Sequence, residues 1–208
     1  TGGPVALALS GGSPAQVTAL FAGLALFRAP YTLAIGLVSP LTGKLTSLVV
    51  RERHAALRRV RLATLAVTGV AVVLGGLVGA TVGPYLLRLV FGEEVRLDRF
   101  FSLLVAVGST LALANLVVTV TIMAQSRSGV VARAWVIGSL GGTLVFALAS
   151  HDPLERTCWA FVAAEAVAFG VLAVEDIRGA VKPASPGAGE PGAPPLSESA
   201  RRPRSSSA

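Results

Sequence analysis

The chain has one cysteine among 208 residues, Cys158, so no intrachain disulfide can form. Histidine is almost as scarce. His54 and His151, both in loops, cannot combine with a lone thiol into a zinc site of the usual ligand spacing, so neither metal nor cofactor is expected. Charge is the third shortage: 14% of residues are charged against 53% hydrophobic, and the mean hydropathy of +0.71 lies far outside the range of a soluble domain. The net charge of +7 does not point to nucleic acid, because its cations are not gathered on one face with aromatics between them. They fall in short loops and in the tail, which makes the lipid bilayer the expected partner and medium. There is neither an initiator methionine nor a signal peptide, and Thr1 begins in mid-pattern, so a fragment of a longer protein is expected.

What the chain does have is long apolar runs. A helix crosses a ~30 Å hydrocarbon core with ~20 apolar residues, and five blocks read as spans: 14–50, 62–90, 100–125, 130–149 and 157–174. The predicted fold is an all-α, multi-pass transmembrane helical bundle over residues 1–178, followed by a disordered tail over 179–208. That tail is rich in Pro, Gly, Ser and Ala and cannot bury enough apolar area to offset its ordering entropy. The connecting loops alternate in charge. RERHAALRRVR (51–61) and SRSGVVAR (126–133) are basic, whereas FGEEVRLDRF (91–100) and HDPLER (151–156) are balanced or acidic. The positive-inside rule then sets the basic loops and the C-terminus in the cytoplasm.

The first block exceeds one bilayer thickness and reads either as one broken helix or as two short ones. Glycines recur four apart at Gly75, Gly79 and Gly83 and again at Gly138 and Gly142, the spacing that lets helix backbones approach closely in lipid. SGGS (10–13) lacks the preceding strand and following lysine of a phosphate-cradling loop and reads as a turn.

Few polar side chains remain inside the spans. In LALFRAPYTLAIG (24–36), Arg28 lies fourteen residues past Pro14, about 20 Å at helical rise, too deep to snorkel easily to the surface. A charge at that depth calls for a bundle interior or a wet cavity. Pro30 and Pro40 each remove a backbone donor, so a kink is expected at both, and freed carbonyls in lipid must meet protein or cavity water. Glu165 is the sole acid deep in a span and is expected either to pair with Arg28 or to couple an ion, while Asn115 and Gln125 read as hydrogen-bond glue between helices. No nucleophile with its base, no paired carboxylates and no acidic metal motif is present, so an enzyme is not expected.

The segment FAGLALFRAPYTLAIGLVSPLTGKLTSLVVRERHAALRRVRLATL (21–65), with its Arg, its two prolines and its basic loop, resembles the opening of the C-terminal half of polysaccharide-type lipid flippases. These belong to the multidrug/oligosaccharidyl-lipid/polysaccharide exporter superfamily, and GPYLLRLVFGEEVRLDRF (83–100) is similar to the end of their next helix. The resemblance implies the C-terminal lobe of a larger two-lobe transporter, with an absent N-terminal lobe as partner, and a central cationic cavity. Through that cavity a lipid-linked, pyrophosphate-bearing saccharide would cross the bacterial plasma membrane by alternating access, with Arg28 neutralising the diphosphate. Two rival expectations stand beside it: a drug or cation antiporter centred on Glu165, and a non-transporting scaffold for polysaccharide synthesis proteins.

Overall fold

In the computed structural model, residues 2–33, 36, 54–123, 125–149 and 152–181 are described. Among them are seven α-helices: α1 (Gly3–Leu9), α2 (Pro14–Phe27), α3 (His54–Thr81), α4 (Gly83–Phe91), α5 (Arg99–Met123), α6 (Ser128–Leu148) and α7 (Pro153–Val181). A further helical turn covers 29–33, and no strand occurs among the described residues. The protein is a multi-pass helical membrane bundle. α5, α6 and α7 up to Arg178 are each long and apolar enough to cross a bilayer, and α3 with α4 forms one more span if the bent pair is counted once.

Local chemistry sets the helix ends. Ser13 begins α2 with a reciprocal cap, its hydroxyl accepting from Gln16 N–H at 3.2 Å while its own N–H donates to Gln16 Oε1 at 2.9 Å, and Pro14 occupies the first helical position. Gly11, at φ +91°, makes the reversal from α1 into α2. α6 opens after the left-handed Ser126.

Two expectations from the sequence need correction, and a third is only partly covered by the described residues. The block 62–90 is not one straight span: it breaks at Val82 and bends by 60°, because Pro84 has no N–H to continue the ladder and Gly83 lies against Phe27 and Ser102. The first block provides only a 14-residue apolar helix before its break at Arg28, and its remainder, Pro40 included, lies outside the described residues apart from 29–33 and 36. Residues 179–181, placed in the tail by composition, complete the last turn of α7, and 182–208 lie outside the described residues.

α5 is the central helix. In its apolar stretch 56% is buried inside the protein, against 28% for both α6 and α7. Close packing comes from small residues. A Cβ on Gly79 would sit 2.5 Å from Ala106 Cβ and one on Gly75 2.6 Å from Thr110 Oγ1, so α3 lies directly on α5. Gly138 and Gly142 press in the same way on Ala164 and its neighbours in α7, and Gly108 of α5 receives the ring of Phe161. Val70, Val73, Leu77, Leu140, Leu144 and Leu148 are exposed on the outer surface, where hydrocarbon is as apolar as they are and exposure costs nothing.

Candidate functional site

Among the described residues, a polar cluster lies in the apolar interior where three helices meet. Asn115 on α5 is completely buried and faces α7, and its Nδ2 donates both to the Glu165 carbonyl oxygen at 3.0 Å and to Glu165 Oε2 at 2.9 Å. Glu165 lies twelve residues after Pro153 and thirteen before Arg178, in the middle of its span. Such depth demands partners, since a lone charge at the bilayer centre costs about 3 kcal/mol.

Arg28 supplies one partner from the C-terminal end of α2. Its backbone closes the helix by donating to the Leu24 carbonyl at 3.0 Å, and its carbonyl accepts from both the N–H and the hydroxyl of Thr32. Pro30 ends α2 two residues later by removing a donor, which leaves the Arg28 side chain at the break. Its guanidinium reaches back to α7, with Nη2 3.5 Å from Glu165 Oε1 and the central carbon 5.2 Å from the ring centre of Phe161 and 6.0 Å from that of Tyr31.

The pair is geometrically loose. A charge-assisted N–H···O bond is typically 2.7–2.9 Å and an arginine prefers two of them to one carboxylate, whereas here a single contact of 3.5 Å is formed. Arg28 Nε is buried without a partner, and the side chain retains 27% exposure against 8% for Glu165. A guanidinium has five N–H donors, and the Glu165 contact engages only Nη2. Chemically the arrangement is a midspan cation, charge-balanced by Glu165 and steadied by two aromatic rings, with donors left for an anionic group.

The structure thus brings Arg28, Glu165 and Asn115 together, sets Pro30 at the helix break beside them, and leaves Pro40 outside the described residues. Gln125 is elsewhere: its Nε2 donates to Asp176 Oδ1 at 3.4 Å, beside the Arg127 to Glu175 pair that ties the turn before α6 to the end of α7. Phe161 and Tyr31 were not singled out by sequence reading. Phe161 carried a usable signal, since it precedes Glu165 by four residues and so shares its helix face. A groove of about 380 Å³ between α3 and α5, with Val67, Ala71 and Leu113 in its wall, is separate and apolar. Compared with known protein families, with curated proteins and with solved structures, the chain matches none.

Proposed function

We propose that this chain is the C-terminal lobe of a bacterial plasma-membrane flippase that moves a lipid-linked, pyrophosphate-bearing saccharide. The observation that carries this reading is the half-satisfied Arg28: a cation at the middle of the bundle, loosely held by Glu165, with Nε lacking an acceptor. A guanidinium stays charged at any cellular pH, and its planar fork matches phosphate oxygens in pairs. An entering diphosphate would take over from Glu165 as counter-ion, and its departure would return Arg28 to the carboxylate. Arg28 would therefore keep a counter-ion throughout, and Glu165, released from it, would keep its hydrogen bond from Asn115 and take up a proton. The N-terminal lobe forms the opposite wall, and the C-terminus lies in the cytoplasm.

The test is transport of a fluorescent polyprenyl-pyrophosphate saccharide in proteoliposomes containing the intact two-lobe transporter. Arg28→Ala is expected to lower the rate at least tenfold, and Arg28→Lys to restore part of it. The charge-neutral pair Arg28→Gln with Glu165→Gln controls for folding and is expected to remain inactive. Wild-type transport by that double variant would rule the reading out.

An ion-coupled antiporter is favoured by a different observation, the burial of Glu165 at midspan. On that reading Glu165→Gln abolishes proton-driven efflux. On the flippase reading the same change leaves Arg28 free for substrate and keeps transport, so one variant separates the two.

A further inference from the structure

A second arginine lies in an unusual setting at the other end of α7. Arg156 is one turn into a helix that starts at Pro153, which puts it near the boundary of the hydrocarbon core rather than at midspan. Its guanidinium carbon is 4.6 Å from the ring centre of Phe146 on α6, its Nε is buried without an acceptor, and no acid among the described residues pairs with it. The nearby carboxylate of Asp152 is occupied elsewhere, accepting from the Leu154 N–H at 3.0 Å and from Gln16 Nε2 at 3.4 Å. Glu155 precedes Arg156 by one residue and so projects about 100° away around the helix.

Directly along the same stripe from Arg156, at helical spacings of three and seven, come Trp159 and Ala163. These two, with Val162, Val145 of α6 and Ala149 just past its end, line an apolar groove of about 280 Å³ between α6 and α7. The cation therefore stands at the headgroup end of a slot that runs toward the hydrocarbon. Trp159 sits at the level where tryptophan is enriched in membrane proteins, with its ring 6.2 Å from that of Phe100. Each half of the feature specifies one part of a ligand: the groove accepts an acyl chain, and the unpaired guanidinium at its mouth accepts a phosphate.

We propose that the Arg156 and Trp159 groove between α6 and α7 is a binding site for an anionic phospholipid, with its phosphate on Arg156 and one acyl chain along Trp159. The apolar part confers little preference by itself, because a chain leaving bulk lipid for the groove exchanges one apolar medium for another. Selectivity therefore comes from Arg156.

Trp135 and Trp159 are the two tryptophans of the chain, so Trp135→Phe leaves Trp159 as sole reporter. The full chain with that change is placed in phosphatidylcholine vesicles containing an equal small fraction of either dibrominated phosphatidylglycerol or dibrominated phosphatidylcholine, and quenching of Trp159 is compared. The anionic lipid is expected to quench about fivefold more effectively, equivalent to the ~1 kcal/mol of attraction per interfacial cation. Arg156→Gln should bring the ratio to one, and Arg156→Lys should keep part of it. Equal quenching by both lipids with Arg156 intact overturns the proposal, and so does a preference that survives Arg156→Gln. Protection of Trp159 from both lipids, as when a second copy of the chain covers the groove, overturns it too. The comparison with Arg156 intact needs no variant at that position, so poor folding of the Gln form cannot hide the answer.

Discussion

Arg28 and Glu165 make each other tolerable. Either charge alone at the bilayer centre costs about 3 kcal/mol, and removing one member of a buried pair leaves the other uncompensated. Arg28→Ala or Glu165→Ala is therefore expected to lower stability by ~2–3 kcal/mol, and the double alanine variant by clearly less than the sum of the two. A double-mutant cycle by unfolding in a mixed detergent series measures the coupling, and strict additivity would show that the 3.5 Å contact carries no energy. Asn115 belongs to the same network but is neutral. Asn115→Leu deletes two hydrogen bonds to Glu165 and is expected to cost ~0.6–1.7 kcal/mol, the range measured for interhelical bonds in lipid. Sequence alone could mark Arg28 and Glu165 as misfits, since charge inside an apolar run is visible without coordinates. That they meet, with Asn115 between α5 and α7, depends on helices far apart in the chain.

At the level of helices, association rests on backbone proximity rather than on a hydrophobic drive, which lipid abolishes. Gly142 is the clearest case, because a Cβ there would stand 2.8 Å from both the Ala160 carbonyl oxygen and the Ala164 Cβ. Gly142→Ala must push α6 from α7 and is expected to destabilise by ~1–3 kcal/mol. Gly170 on α7 has nothing within 4 Å of its would-be Cβ, so Gly170→Ala should be neutral or stabilising by a few tenths of a kcal/mol. Thermal unfolding in detergent compares the two, and equal effects would mean that close approach is not what holds α6 to α7. The four-residue glycine spacing showed this packing in advance. The bend between α3 and α4 was missed for a definite reason: hydropathy sums side chains and is blind to the missing N–H of Pro84, so 62–90 reads as one apolar run.

For the whole molecule, orientation in the membrane follows from charge on opposite ends of the bundle. Glu94, before α5, and Gly129, at the start of α6, are both exposed and are separated by the full length of α5. With the loop charges as they are, Glu94→Cys should react with an impermeant maleimide on intact cells and Gly129→Cys only after permeabilisation. The native Cys158, with 1% of its surface accessible, is expected to stay unlabelled until the protein is denatured. Reaction of both introduced cysteines on the same side would exclude the membrane crossing by α5.

The apolar runs, the loop charges and the glycine spacing are local properties of the chain, and they determined by themselves that it is a helical membrane protein and which helix faces press together. Only the tertiary structure decided which polar residues become partners, because the contacts of Arg28 with Glu165 and of Asn115 with Glu165 join positions 137 and 50 residues apart. It also decided that one continuous apolar run is folded into two helices and that Arg156 lies over the ring of Phe146, because both depend on which neighbour fills the space beside a helix. No periodicity within a single segment encodes that.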